Sequence, residues 1–291
     1  MNKITKVLKI SFITNLFLSI LKIVFGIVAN YASLIADGVH SLSDLITDFV
    51  SILGNKLSLK PADDKHPFGH GIIEYVTSIM ISVTIMFLGM NLIINSFSHE
   101  NTIPNLFIAV VCLFTILIKY ILASYIIKKG KEYNNNILIA SGSESKSDVI
   151  SSLIVLISII FMQFSNTIQI FKYADIVATI IVSLLIIRTG YLILMDNLSK
   201  ILGEQIVDEE YLNKIKTIIL SDEYILDIKN LYVLKNGPYY RLVSDIIMDK
   251  TITLSLAHEI IDKIEIQIKE YDSKIRYVFI HMEPNDWQDK R

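Results

Sequence analysis

Asp37, His40, Asp44 and Asp48 recur at helical spacing in the stretch LIADGVHSLSDLITDF, whose other residues are mostly apolar or small. His40 and Asp44 are four apart, so on a helix their side chains share one face, one turn apart. Glu144 and Asp148 repeat that spacing in SGSESKSD. One imidazole and three carboxylates form a four-ligand set suited to a divalent metal. Without a cation, three carboxylates would repel one another or have to bind protons, so a cluster that only holds helices together is the poorer reading. Asp37 is expected to line an aqueous path or take up protons rather than ligate, and Asp48 to be a solvated residue at the mouth.

A second cluster lies in KPADDKHPFGHG, where Asp63, His66 and His70 share a short loop shaped by Pro67 and Gly69. Asp-x-x-His-x-x-x-His is a spacing that can ligate a metal. Further on, His258 falls on an expected helix. His281 and Glu283 flank Met282 on an expected strand, where alternation puts both on one face. Read alone, such residues are ordinary surface residues more often than ligands.

The elements that must position these groups are long apolar helices. The chain is 52% hydrophobic and 19% charged over 291 residues, with a mean hydropathy of +0.51, which marks a membrane protein. Apolar stretches of roughly 20 residues, enough to cross a hydrocarbon core of about 30 Å, are expected at 9–30, 33–55, 73–97, 103–127, 137–162 and 173–197. All five prolines fall outside their interiors, as uninterrupted helices require. The run from Ile10 to Ala29 is too long for the apolar core of a cleaved signal and is taken as the first span.

Lysines cluster on one side of these spans: Lys3, Lys6 and Lys9, then Lys56, Lys60 and Lys65, then Lys128, Lys129 and Lys131, then Lys200; the opposite connections hold only Lys172. This asymmetry puts both chain ends in the cytoplasm. An ionised Asp at the centre of a span costs about 2.5–3.5 kcal/mol on insertion scales, so the acidic residues are expected to face the bundle interior with partners. Lys22, Lys119, Lys146 and Arg188 also fall within spans. Snorkelling or pairing accounts for them, with Lys146 placed to balance Glu144 and Asp148. Antiparallel packing would bring His40 to the depth of Asp148 and Asp44 to that of Glu144.

From about residue 206 the pattern changes to amphipathic helices and alternating strands, including a strand pair around Asn236-Gly237. The expected fold is thus an α-helical membrane protein with six transmembrane helices, residues 1–203, followed by a cytoplasmic α+β domain, residues 204–291. A formal net charge of −2 with no basic patch excludes nucleic acid as a partner. The lone Cys112, in an apolar run, has no internal disulfide partner.

Over nearly its whole length the chain resembles the cation diffusion facilitators, a family of divalent-metal/proton antiporters. The resemblance is carried by ADGVHSLSD, PADDKHPFGHG with Glu74 after it, ESKSDVISSL, NGPYY, LAHEIIDKIE and FIHMEP. It implies a transport site of His40, Asp44, Glu144 and Asp148, and a loop site of Asp63, His66 and His70. It also implies a terminal-domain site of Asp245, His258, His281 and Glu283 on a metallochaperone-like (ferredoxin-like) domain that forms a homodimer. His99 is the one histidine outside these positions. Lys229 stands where a terminal-domain ligand is often found, which puts the completeness of that site in question.

The activity implied is export of a cytoplasmic divalent cation in exchange for external protons by alternating access, in a bacterial-type plasma membrane. The metal is substrate and also a structural ion. Zn²⁺ is the family's commonest cargo, while Glu144 hardens the site and brings in Fe²⁺, Mn²⁺ and Co²⁺. A membrane-anchored metal sensor or scaffold that binds without transporting is the alternative. No HExxH motif supports an intramembrane metalloprotease.

Overall fold

The computed structural model describes residues 3–98, 103–133 and 136–285, without the side chains of residues 3–5, 47–57, 136–137 and 140. The side chain of Asp48, and the whole of His99, lie outside the described residues. The chain packs as two compact units, residues 1–50 with 80–194 and residues 51–79 with 195–291. The second unit includes 51–79, a stretch that a division of the sequence at residue 203 assigns to the first domain.

Six long helices make up the apolar part: α1 Lys3–Val28, α2 Ala32–Ser58, α3 Ile73–Ser96, α4 Leu106–Glu132, α5 Asn136–Gln163 and α6 Ala174–Ile201. Among the described residues, five segments are long and apolar enough to cross a membrane: Lys6–Val28, Ile73–Ser96, Leu106–Glu132, Ser141–Gln163 and Gln169–Ile201. The remaining helix, α2, has 27 residues, about 40 Å at 1.5 Å per residue. It carries the run of Asp37, His40 and Asp44 that lowers its hydropathy.

Local chemistry sets the helix ends. Asn30 takes a left-handed φ of 51° in the turn from α1 to α2. The Asp175 carboxylate on α6 then accepts the first α2 amides, Ala32 N–H at 3.1 Å and Ser33 N–H at 2.9 Å. Those donors have no partner within the helix, and a carboxylate there also suits the positive end of the helix dipole. Pro104 precedes Asn105, whose side chain caps α4 by accepting from Phe107 N–H.

The hairpins α1–α2 and α4–α5 are built alike. A Cβ on Gly26 would meet Ile35 Cγ1 at 2.7 Å, and one on Gly38 would meet Ile23 Cγ1 at 2.6 Å. The second hairpin repeats these contacts with Gly130 against Ile139 at 2.8 Å and Gly142 against Ile127 at 2.6 Å. Gly130 and Gly142 stand 104 residues after Gly26 and Gly38. In both hairpins small residues let the helix backbones approach closely.

The second unit holds α7 Glu209–Ile219, β1 Ile225–Asn236, β2 Tyr239–Met248, α8 Leu254–Tyr271 and β3 Ile275–Pro284. The sheet order is β1-β2-β3, with β1 antiparallel and β3 parallel to β2. A parallel β2–β3 pair needs a crossover, which α8 supplies. Asp208 and Thr253 cap α7 and α8 by accepting from Tyr211 N–H and Leu256 N–H, contacts worth roughly 1 kcal/mol each. Ile215, Ile219, Val233, Leu242, Ile246, Ile264 and Ile268 form the core. The turn expected at Asn236-Gly237 joins β1 to β2, with Gly237 at φ 65°, and Gly237 N–H donates to the Tyr75 hydroxyl at 2.7 Å.

Candidate metal centre

Helices α2 and α5 bring three of the four mid-helix residues together. His40 Nε2 lies 3.8 Å from Asp148 Oδ1. Ligand atoms of His40, Asp44 and Asp148 all fall within 4.8 Å of one another. An ion held at about 2.1 Å by each donor needs them about 4 Å apart or less, a spacing close to the one seen here. His40 is buried, and its Nδ1 makes no hydrogen bond to the described residues. Glu144, expected beside them, is exposed and lies outside the three-donor group. It lines the same cavity of about 290 Å³, together with Ser147, Ser151 and Arg188.

Two buried lysines complete the surroundings. Lys119 on α4 is 2% exposed, and its Nζ lies 2.8 Å from Asp148 Oδ2. Lys22 on α1 lies 2.8 Å from Asp37 Oδ2, with the two side chains 1% and 0% exposed. Ser151 and Ser152 each donate a hydroxyl to Asp37 at 2.8 Å. Asp37 therefore does not line an aqueous path as expected. Gly38 lets α1 come close enough for a Cβ there to reach Lys22 Cβ at 3.1 Å, and the Lys22 ammonium neutralises the buried carboxylate. Pairing, rather than snorkelling, thus accounts for Lys22 and Lys119, whereas Lys146 is exposed.

In the loop before α3, His66 Nδ1 lies 3.0 Å from Asp63 Oδ1 and His70 Nε2 lies 3.4 Å from Asp63 Oδ2. Phe68, between the two histidines, packs edge-on to Tyr277 and sits 4.3 Å below the Arg241 guanidinium. Gly69, at φ 73°, makes the turn. The three donors again fall within 4.8 Å of one another. His66 N–H holds the Asp63 carboxyl below the usual carboxylate range, with the His66 ring and Lys65 N–H adding to the effect.

A lowered folded-state value means that the ionised form supports the turn. Its contribution is complete above the unfolded value and is lost as pH falls through the lowered one. The His66 amide resonance is therefore expected to titrate with a midpoint below that of a free aspartate. A midpoint at the free value would exclude this arrangement.

The terminal-domain residues converge less. Asp245 and His281 are neighbours across β2 and β3, with Glu283 two residues along. Asn230 donates to Asp245 Oδ2 at 2.8 Å, and Lys229 Nζ lies 3.3 Å from Glu283 Oε2. His258 is on the α8 surface, 3.7 Å from Asp262 Oδ2. Among the described residues, the four do not bring three donor atoms within 4.8 Å of one another in this chain, and Asn230 and Lys229 engage two of the acids.

Lys22 and Lys119 were recognisable as charges in apolar spans, but their partners were not. The duplication also escaped the sequence analysis, although ADGVHSLSDLI at 36–46 aligns with ASGSESKSDVI at 140–150 at the same 104-residue offset. It aligns His40 with Glu144 and Asp44 with Asp148 in sequence.

Comparison with known proteins agrees with this architecture. Residues 8–202 match the family described as the cation efflux transmembrane domain, and residues 207–285 match the cation efflux protein cytoplasmic domain. The manganese efflux system protein MneP of Bacillus subtilis is 28% identical over 284 residues, covering 96% of this chain and 95% of that protein. An uncharacterized transporter of Methanocaldococcus jannaschii is 29% identical over 296 residues, covering 97% and 99%. Magnetosome protein MamB of Paramagnetospirillum magneticum is 31% identical over 184 residues, covering 62% and 60%.

Proposed function

Because the chain belongs to the cation efflux family, we propose that it exports a divalent metal from the cytoplasm in exchange for protons, with Mn²⁺ as the preferred cargo. The observation that carries this reading is the convergence of His40, Asp44 and Asp148 from two helices onto one cavity. All six helices cross the bilayer, with both chain ends in the cytoplasm, which the lysine asymmetry supports. Residues 1–203 form the transport domain and 204–291 the cytoplasmic domain, which pairs two copies. Glu144 joins the ligands when the cavity closes, and Asp63, His66 and His70 form a second metal site.

Metal needs deprotonated ligands, so a dication entering from the cytoplasm displaces protons from the carboxylates. Opening to the other side exposes the loaded site to external protons, which displace the metal in turn. Two or three carboxylates with one imidazole suit a harder ion than Zn²⁺, and a relative that aligns over nearly its full length is named for manganese efflux.

The test is reconstitution into vesicles carrying a pH-sensitive dye, with Mn²⁺, Fe²⁺, Co²⁺ and Zn²⁺ added separately. The expected result is proton movement opposite to metal, largest for Mn²⁺. Saturable binding without proton flux for all four ions would overturn export and favour a membrane-anchored sensor.

A further inference from the structure

The geometry points to Lys119 as a positioning residue that fixes how Asp148 presents itself to the metal and how tightly the ion is held. This inference rests on the export reading above. Lys119 Nζ occupies Asp148 Oδ2 at 2.8 Å, while Asp148 Oδ1 faces His40 Nε2 at 3.8 Å. One oxygen is thus taken by the ammonium and one is left on the side of the metal ligands. Asp148 is constrained to bind through a single oxygen.

The same ammonium places a fixed positive charge one carboxylate away from the ion. Both groups are almost fully buried, with side chains 3% and 9% exposed, so little solvent screens that repulsion. A tethered cation in this position weakens metal binding and speeds release. An exporter needs this, because an ion held too tightly does not leave.

The duplication argues against a purely structural role for the charge. At the 104-residue offset, the residue in α1 equivalent to Lys119 is Asn15. Asn15 is also buried, donates to Ser11 Oγ at 3.4 Å, and has its Oδ1 without a hydrogen-bond partner among the described residues. The first hairpin packs through the same glycine contacts with this neutral residue in place. A charge at that position is therefore not required by the packing of the hairpin.

The binding mode carries a selectivity consequence. Ca²⁺ takes six to eight oxygen ligands and commonly uses carboxylates bidentately. Holding Asp148 to one oxygen disfavours such ions, and freeing the second oxygen admits them.

The experiment compares purified full-length wild type with Lys119→Asn and Lys119→Arg. Mn²⁺ binding is read by electron paramagnetic resonance of the free ion, Ca²⁺ binding by calorimetry, and Mn²⁺ export in vesicles. Lys119→Asn is expected to bind Mn²⁺ at least about tenfold more tightly, to export it several-fold more slowly, and to gain Ca²⁺ binding. Lys119→Arg keeps the charge and is expected to stay within about threefold of wild-type affinity.

Unchanged or weaker Mn²⁺ affinity in Lys119→Asn overturns the inference, as does equal tightening in Lys119→Arg. A Lys119→Asn that aggregates even with Mn²⁺ present overturns it too, since the ion should then compensate the Asp148 carboxylate that the substitution leaves buried. Wild-type protein that binds no Mn²⁺ and moves no protons fails the export reading itself, independently of Lys119.

Discussion

Asp44→Asn is expected to abolish metal-driven proton flux while leaving the protein folded and inserted. Asp44 belongs to the three-donor group with His40 and Asp148. Asparagine keeps the shape of the side chain and removes the charge that a dication needs. Partners of metal ligands, which do not touch the ion, are typically worth about 10–100-fold in affinity, so loss of a ligand should cost at least about a hundredfold. The check is Mn²⁺-driven proton flux per reconstituted molecule, with elution profile and melting temperature as the fold controls. Export at the wild-type rate from a well-folded Asp44→Asn would remove Asp44 from the transport site.

Asp148 is a less clean target, although spacing alone ranks it with Asp44. Truncating Asp148 strands the Lys119 ammonium in a buried position. Any loss of transport would then be mixed with loss of stability.

The largest stability effect should come from the Lys22–Asp37 pair. Both side chains are essentially inaccessible, and the two serines on Asp37 complete its hydrogen bonds. Removing one partner leaves an uncompensated buried charge, at a cost of about 3–5 kcal/mol. Lys22→Met and Asp37→Ala are each expected to melt well below wild type in detergent. The double substitution Lys22→Met/Asp37→Leu should recover much of the loss, because replacing a buried pair by apolar groups is often close to neutral. Single variants that melt with wild type would show that water or another group satisfies the remaining charge.

The two kinds of mid-helix charge differ in how legible they were from sequence. The convergence of His40, Asp44 and Asp148 is legible because i, i+4 spacing fixes a shared face whatever the helix packs against, and chain direction then fixes depth. The bounds of α1 to α6 followed for a similar reason: apolar length and the absence of proline are properties of the segment itself. Lys119 sits in VVCLFTILIKYILA, which is apolar all round, so nothing in the pattern tells which side of α4 faces α5. The pairing of Asp37 is not legible from its own helix, because its neutralising lysine comes from α1, which approaches α2 closely at Gly38. In the terminal domain, strand alternation put His281 and Glu283 on one face, but the competing bonds from Asn230 and Lys229 depend on tertiary register.

The offset of 104 residues that relates α1–α2 to α4–α5 also carries Ile73–Ser96 onto residues 177–200 within α6. Each half then has three helices, and an odd number means that in a six-span protein the second half threads the bilayer upside down relative to the first. If each half adopts the tilt of the other, the close glycine approaches shared by the two hairpins are kept and the opening moves to the opposite face. The two orientations then differ in energy through the positions where the halves carry different side chains, among them Asn15 against Lys119, Lys22 against Ile126, Asp37 against Ser141, and His40 against Glu144. Buried mismatches of this kind would bias a rocking carrier toward one face, which makes them the positions to vary if its resting orientation is to be reset.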